Sequence, residues 1–331
     1  MRFEAGENED GRRLDRVLKK TFPNSPLSFI YRIIRKDVKV NGRRASAETL
    51  LNAGDVIEVF LPDEQLEEMS RRRADAPTLK KQFKVVYEDE NILVVDKPFG
   101  LLVHGDETEK KNTLTNQVIS YLAESGGFLP GRTGTFVPAP VNRIDRNTTG
   151  LVIFGKNLPA TRDLASMMRG REAGNPKIEK AYLTIVRGEV KDRMELRSRM
   201  VRESGKNISK ALPEDAAKGV MMLTEVVPLS VGKGYTLIEA KLLTGRTHQI
   251  RVQLAEAGFP VIGDRKYGDD KVNRGVSGSY GLTAQLLHAY RLQVLSGEGR
   301  MEYIKGETFR AKPPERFAFI AEDLGCRMKL K

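Results

Sequence analysis

The most informative stretch of this chain is PVNRIDRNTTGLVIFGKN, residues 140–157. Its polar, turn-forming first half leads directly into the apolar run LVIF, which predicts a loop followed by a buried strand. Asp145 lies in this loop between Arg143 and Arg146. A carboxylate with cationic neighbours at the mouth of a strand can act as a nucleophile. An aspartate that caps a turn and pairs with a neighbouring arginine is the more common role, so these residues alone do not decide the function.

The rest of residues 81–331 has the pattern of one large mixed domain. Helical patterns lie at about 113–123, 158–170 and 247–257. Strands outnumber helices and lack the regular alternation of a doubly wound sheet, which predicts an α+β fold around a mixed, mostly antiparallel sheet. The β-rich runs are FKVVYED, NILVVDKP, LVIFGK, KAYLTIVRG, VMMLTEVVPL and YTLIEAKLL.

A second informative segment is LLTGRTHQIRVQLAEAGFPVIGDRKYG, residues 242–268. Its first part ends a strand near Arg246, and THQIRVQLAEAG then predicts an amphipathic helix. Arg251 lies beside the inner stripe of this helix, so its guanidinium can reach inward to a carboxylate. His248, on the first turn, fits a packing role as well as a functional one. The run GDRKYG predicts a turn with a basic, aromatic tip.

Tyr182 begins the β-rich run KAYLTIVRG. A tyrosine at this position is usually half-buried core. Its ring can alternatively offer a flat face to an extruded base, because aromatic stacking is a common way to hold an unpaired nucleotide.

The basic residues are concentrated near the N-terminus. The net charge is +12, and between Arg12 and Arg44 eleven Lys and Arg stand against two acids, which gives +9. Such clustering is typical of a surface that binds a polyanion, although a basic face without a partner has the same composition. We predict a small α+β domain over residues 1–62, a charged linker over residues 63–80 and the large domain over residues 81–331.

Several classes of protein have no support in the sequence. The chain has one cysteine, Cys326, no apolar run long enough to span a membrane, and an N-terminus without a signal-like apolar stretch. Its three histidines match no metal-ligand spacing, and neither a phosphate-binding nor a dinucleotide-binding glycine motif occurs. These features predict a cytoplasmic protein that uses no metal and no cofactor.

The segments around Asp145, Tyr182 and Arg251 together resemble the RluA-type pseudouridine synthases. The signature of that family is H-R-L-D-x-x-[ST]-[ST]-G, and here it reads NRIDRNTTG. The runs KAYLTIVRG, TGRTHQIRVQL, GFPVIGDRKYG and LLHAYRL are also similar, and the resemblance covers about residues 83–320. Two positions depart from the signature. Ile144 in place of Leu keeps the packing, whereas Asn142 in place of His removes a titratable group.

The resemblance implies isomerisation of uridine to pseudouridine in RNA, with large-subunit ribosomal RNA as the expected substrate. It implies Asp145 as the nucleophile, acting on the sugar or on the base, and Arg251 as the partner that orients it. Tyr182 is expected to stack on the uracil and to assist loss of the C5 proton. Arg143 is expected to fill the space left in the RNA or to brace the loop. Arg246 and Leu287 are expected to contact the substrate.

The N-terminal domain resembles the alpha-L RNA-binding domain, through RRLDRVL, RKDVKVNG and GDVIEVFLP. That resemblance implies an enzyme tethered to structured RNA by its first domain. The oligomeric state is open from the sequence, and a monomer is the default expectation. The candidate phosphate contacts are Arg13, Arg16, Arg32, Arg35, Lys36, Lys39, Arg43 and Arg44.

Two other functions remain open from the sequence. A non-catalytic RNA-binding or ribosome-assembly factor would explain the charge equally well, but not the combination of NRIDRNTTG with an arginine-bearing helix. A hydrolase of phosphorylated nucleotides would use His104, His248 and Asp264, although these residues have no recognisable spacing.

Overall fold

The structure is a computed structural model that describes residues 1–70, 79–126, 136–169, 176–202 and 209–328. Its contacts divide the chain into two compact units, each built from several segments. This division assigns parts of the predicted large domain to the first unit. The first unit comprises Met1–Lys81, Thr115–Ala139 and Gly155–Arg162, and the second comprises Gln82–Leu114, Pro140–Phe154 and Asp163–Lys331.

The first unit contains a four-stranded antiparallel sheet packed against helices. The strand order is β1-β4-β2-β3. The turn between β2 and β3 is formed by Asn41 and Gly42, both with positive φ, as the Asn-Gly pair predicts. The elements are β1 (Arg2–Glu4), α1 (Leu14–Thr21), α2 (Leu27–Asp37), β2 (Val38–Val40), β3 (Arg43–Arg44), β4 (Val56–Val59) and α3 (Asp63–Ser70).

The apolar stripes of the helices form the core of this unit. Leu14, Val17 and Leu18 of α1 are buried, and the basic residues of the same helix lie on its other side. Helix α3 differs from the predicted linker, because Leu66 and Met69 are buried in the same core. Two apolar residues three positions apart are too few to reveal a helix in a charged segment. Residues 71–78 of the predicted linker lie outside the described residues.

The second unit is built around an eleven-stranded sheet. Its path is β11-β10-β12-β13-β9-β14-β8-β6-β5, with β15 on β14 and β7 on β8. Strands β14 and β8 run parallel, whereas the pairs from β11 to β14 are antiparallel. The α+β fold with a mostly antiparallel sheet is therefore confirmed. The strands are β5 (Lys84–Glu88), β6 (Ile92–Lys97), β7 (Ala139–Pro140), β8 (Thr149–Gly155), β9 (Ile178–Arg187), β10 (Met194–Arg202), β11 (Ser209–Leu212), β12 (Val220–Val231), β13 (Tyr235–Leu242), β14 (Leu287–Val294) and β15 (Thr308–Arg310).

The helices beyond the small domain are α4 (Leu114–Glu124), α5 (Leu158–Arg169), α6 (Gln249–Glu256), α7 (Asp270–Tyr280), α8 (Glu315–Asp323) and a 3-10 helix (Gly299–Ile304). Helix α6 begins one residue after His248, which has left-handed backbone (φ 59°) at the N-cap. The prediction that His248 lies on the first helical turn was therefore wrong. A capping residue need not have helical backbone angles, and the apolar spacing does not mark this boundary.

Strand β8 follows the Asp145 loop directly and lies between β14 and β6 in the sheet. Gly150 pairs with Ala289 of β14 and has φ +108°. A Cβ atom at residue 150 would lie 2.1 Å from the carbonyl oxygen of Ala289, so only glycine fits this approach. The first residues of β8 are thereby held beside β14. The point at which the Asp145 loop ends is therefore fixed.

No helix among the described ranges combines the length and the apolar character needed to cross a membrane.

Candidate active site

Asp145, Arg251 and Asp264 come together in the second unit, although they are far apart in sequence. Arg251 Nη1 donates to Asp145 Oδ2 over 2.8 Å. The other side of the same guanidinium binds Asp264 through two bonds, from Nε to Oδ2 (2.6 Å) and from Nη2 to Oδ1 (2.8 Å). The arginine is thus fixed by one carboxylate and presents its remaining edge to the other.

The two carboxylates differ in exposure. The Asp264 side chain is 0% exposed and that of Arg251 is 6% exposed, whereas the Asp145 side chain is 25% exposed. Burial acts to raise the pKa of Asp264, but Arg251 and the backbone N–H groups of Lys266 and Tyr267 lower it below its usual range. Asp264 is therefore a buried, hydrogen-bonded anion, whereas the Asp145 carboxylate is partly exposed to solvent.

Burial also opposes the charge of Arg251, but its two carboxylate partners outweigh burial and raise its pKa above the ordinary value. The guanidinium stays charged beside Asp145. No further hydrogen bond to the Asp145 carboxylate occurs within the described part of the chain, so the side chain keeps acceptor capacity.

Helix α6 is held on the sheet by two glutamines four residues apart, Gln249 and Gln253. Both are buried. Gln249 bonds the backbone oxygen of Leu223 and the hydroxyl of Thr224, and Gln253 accepts from the same hydroxyl over 2.7 Å. These bonds fix the rotation of α6 about its axis and therefore the direction in which Arg251 points.

Lys97, at the end of β6, is buried beneath the Asp145 loop with 0% exposure. Its ammonium donates to three carbonyl oxygens, those of Pro98 (3.0 Å), Leu101 (2.8 Å) and Arg146 (2.9 Å). Burial lowers the pKa of Lys97 to about 7, against the opposing charges of Asp145 and Asp96. Because Arg146 directly follows Asp145, Lys97 ties the loop to the turn after β6.

His248 and Tyr267 line the other side of Arg251. The Tyr267 hydroxyl lies 2.9 Å from Nδ1 of His248 and accepts from the backbone N–H of Ser209. The guanidinium carbon of Arg251 lies 5.2 Å from the centre of the Tyr267 ring, and His248 Nε2 lies 3.9 Å from Asp145 Oδ2. The predicted aromatic tip is therefore wrong for Tyr267, which turns inward because its ring covers a buried cation.

Asn142, the departure from the family signature, has a structural position in this protein. It is buried, its amide nitrogen donates to Leu151 O over 3.2 Å, and its amide oxygen accepts from Ile153 N over 2.9 Å. An amide carries both a donor and an acceptor, so it pairs with the edge of β8 as a strand would. This pairing anchors the start of the loop.

The remaining predicted site residues occupy different surroundings. Tyr182 is 5% exposed on β9, in register with Ala289, which also pairs with Gly150. Leu287 is buried at the start of β14. Arg143 is exposed in the Asp145 loop.

Arg246 is half-buried between β13 and α6.

All eight predicted phosphate contacts are exposed on the first unit. Arg13 differs from the others in its partners, because its guanidinium bonds the carboxylates of Asp15 (2.9 Å) and Glu48 (3.1 Å). Arg32 lies over the ring of Phe29 at 4.6 Å. The exposed residues are Arg13, Arg16, Arg32, Arg35, Lys36, Lys39, Arg43 and Arg44.

Sequence reasoning missed the roles of Lys97, Asp264 and Tyr267. The signal for Lys97 was a lysine that ends the strongly apolar strand ILVVDK and precedes a proline. A cation in that position is expected to be paired, since burying it alone is costly. The hydrolase hypothesis also assigned Asp264 to different chemistry. Within the described ranges no group of three His, Cys, Asp or Glu side chains could hold a metal ion.

The sequence and the fold of this chain are similar to those of known proteins. The family profile described as RNA pseudouridylate synthase matches residues 91–256. Ribosomal large subunit pseudouridine synthase C of Vibrio vulnificus is 31% identical over 293 residues, which cover 87% of this chain and 86% of that protein. The protein of the same name from Escherichia coli is 32% identical over 296 residues, 86% of each chain.

Two human structures share the fold. RNA Pseudouridylate Synthase Domain Containing 4 has a TM-score of 0.58 at 20% identity, with 74% of this chain and 94% of that chain covered. RNA Pseudouridylate Synthase Domain Containing 1 has a TM-score of 0.53 at 22% identity, with 74% and 87% covered.

The chain belongs to the RNA pseudouridylate synthase family. It is an isomerase that converts uridine in RNA to pseudouridine, which decides between the functions that the sequence left open.

Proposed function

We propose that this enzyme modifies uridines of large-subunit ribosomal RNA and that Asp145 is its nucleophile. The substrate is supported by the names of the curated relatives, which cover most of both chains. The nucleophile is supported by one observation above all: of the two carboxylates that share Arg251, only Asp145 is exposed and held by a single bond. Asp264 is 0% exposed and already accepts four hydrogen bonds, so it is closed to a substrate that approaches from solvent.

The reaction breaks the bond between C1′ of the sugar and N1 of uracil, turns the base, and forms a bond from C1′ to C5. The proton on C5 is lost and N1 gains one, so atoms and electrons balance without a redox partner. Asp145 acts on the sugar or on the base while Arg251 orients it. The fork between Arg251 and Asp264 keeps this geometry fixed before substrate arrives, so little reorganisation is needed during the reaction.

Tyr182 is proposed to stack on the extruded uracil and to assist loss of the C5 proton. Its support is its place on β9 across Ala289 from Gly150. Arg143, Arg246 and Leu287 are proposed to contact the RNA around the target. For Arg143 the support is its exposure in the same loop as Asp145.

The basic face of residues 1–62 is proposed to bind structured RNA and to raise the effective concentration of the catalytic domain near its target. Its support is the exposure of the cations on α2 and around the β2–β3 turn. Arg13 contributes less than the others, since two carboxylates already bind it. We further propose that the enzyme acts as a monomer in the cytoplasm.

The test is Asp145→Asn, assayed with protein-free large-subunit ribosomal RNA tritiated at uridine C5, from which tritium is released on modification. Because a nucleophile is removed, we expect a loss of about a thousandfold or more in rate. RNA affinity should change by less than about threefold, since one partly exposed carboxylate that is paired with Arg251 adds little repulsion toward a polyanion.

Asp270→Asn is the matched control, because it changes an exposed aspartate of the same unit outside the site. Tritium release by Asp145→Asn at the rate of this control would remove Asp145 from its proposed role. Mapping the modified uridines of the same RNA tests the substrate separately.

A further inference from the structure

Phe99 is a large apolar side chain that the second unit leaves 54% exposed. It lies in the turn that follows β6, where Gly100 has φ +82°. Phenylalanine in a turn normally packs against the core to remove its ring from water. An exposed ring is unremarkable alone, so its surroundings decide whether it has a function.

The turn that carries Phe99 is fixed to the Asp145 loop. The ammonium of Lys97 donates to the carbonyl oxygens on both sides of Phe99, those of Pro98 and Leu101, and to that of Arg146. One buried cation therefore holds the backbone around Phe99 and the residue after Asp145 together. The ring is exposed on a rigid support next to the site rather than on a loose loop.

The neighbourhood contains two arginines of the Asp145 loop, and the carboxylates of Asp106 and Glu109 lie near one of them, Arg146. Arg143 and Arg146 are both exposed. Burial, and after it the nearby charge of Arg143, lowers the pKa of His104, which places that guanidinium near the segment that follows the Phe99 turn. Arg143 has no acidic partner among the residues that the structure describes. An exposed apolar ring together with the unpaired guanidinium of Arg143 has the composition of a surface that binds unstacked nucleotides.

We propose that Phe99 stacks on the base that neighbours the target uridine in RNA. This proposal rests on the proposed role of Asp145 in the loop beside it. When a uridine leaves its stack, the adjacent base loses a partner, and an aromatic ring that takes the vacated place offsets that loss. Proteins that distort duplexes insert apolar side chains between bases for the same reason.

The kinetic test compares three variants, Phe99→Ala, Phe99→Leu and Phe99→Trp, on the tritiated ribosomal RNA. Loss of one base–aromatic stack should lower kcat/KM about 10-fold or more in Phe99→Ala, within the range known for such stacks. Phe99→Leu should not restore it, because leucine is apolar but not flat, whereas Phe99→Trp should. Phe319→Ala, which removes a ring that is 61% exposed on α8, is the control and should stay within about twofold of wild type.

A direct test uses the absence of tryptophan from the sequence. In Phe99→Trp/Asp145→Asn the new indole is the sole tryptophan, and stacking on a base should quench its fluorescence when the same RNA is added. Phe319→Trp/Asp145→Asn is the control and should not be quenched.

Equal kinetics of Phe99→Ala and wild type, full rescue by Phe99→Leu, or equal quenching in both tryptophan variants would overturn the proposal. Failure of wild type to modify the RNA would instead overturn the proposed function. Thermal unfolding of Phe99→Ala should be close to that of wild type, since the ring is 54% exposed, and this excludes misfolding as the cause of lost activity.

Discussion

Arg32 and Arg35 on α2 are exposed to water, whereas Arg251 in the site is 6% exposed and bound by two carboxylates. An exposed guanidinium is hydrated and screened by salt, so it can neutralise any phosphate that comes near. A buried guanidinium must be paired, and its pairing fixes the position of its partner. The same residue type therefore supplies affinity in the first unit and geometry in the second.

The largest effect should come from Asp264→Ala, which leaves Arg251 buried without its main partner. Removing one member of a buried ion pair lowers the free energy of unfolding by about 3–5 kcal/mol. Urea denaturation measures it. Glu302→Ala, which breaks an exposed pair with Lys305, should lower it by less than about 1 kcal/mol. Equal losses of unfolding free energy in the two variants would show that burial does not determine how much an ion pair contributes to stability.

His288 extends the comparison to a buried imidazole. It is fully buried, its Nε2–H donates to Ala311 O over 3.0 Å, and its Nδ1 lies 2.8 Å from the Thr149 hydroxyl. Burial lowers its pKa to about 4, from about 6.5 in the unfolded chain.

Between about pH 4 and pH 6.5, His288 binds a proton in the unfolded state but not in the folded state. The stabilisation that neutral His288 gives is therefore complete above about pH 6.5 and is lost as pH falls to 4, by about 3 kcal/mol. Urea denaturation across this range should show a shallower decline for His288→Gln than for wild type. His104→Gln, at a more exposed imidazole whose pKa is also lowered, should make the decline shallower by less than His288→Gln does. Parallel curves for wild type and His288→Gln would contradict the prediction.

The exposed cations of α2 should contribute to RNA affinity, and that contribution should fall as the salt concentration rises. Replacing Arg32, Arg35 and Lys36 together by Ala should weaken RNA binding about 10-fold near physiological salt, because each lost phosphate contact removes released counterions. The slope of log Kd against log salt should fall by up to about 2–3 units, with kcat unchanged.

The control for this triple variant replaces three exposed lysines of the second unit, Lys233, Lys305 and Lys312. Filter binding at several salt concentrations measures both proteins. Equal slopes would mean that net charge, and not the face of α2, binds the RNA.

The smallest effect should come from Arg13→Ala. Since Asp15 and Glu48 already neutralise Arg13, its removal should change the salt slope by less than half of the change caused by Arg16→Ala. The same binding measurement compares the two variants. A larger effect of Arg13→Ala would mean that its carboxylate partners release it when RNA binds.

The spacing of apolar residues along the sequence was sufficient to predict most helices and strands of the fold. Helix α6 was predicted at about residues 247–257 and is observed at Gln249–Glu256, and α5 was predicted as closely. Such elements follow from local apolar spacing. Helix α3 was missed because its buried face consists of only Leu66 and Met69.

The site was predictable only in part. Asp145 and Arg251 were both singled out because each belongs to a recognisable motif. The fork from Arg251 to Asp264 was not, since an aspartate in a turn gives no sign of the cation that it will meet. Lys97 gave a signal, a cation at the end of a buried strand, but not the identity of its three acceptors.

The sequence by itself determined the class of fold, the basic N-terminal face, the family and the loop that carries Asp145, because these depend on local pattern and composition. Only the tertiary structure decided which charges meet: Asp145 and Arg251 are 106 residues apart, and Lys97 and Arg146 are 49 apart. Such pairs form because packed strands and helices exclude water, and a charge removed from water is stable only beside the partner that the fold brings to it.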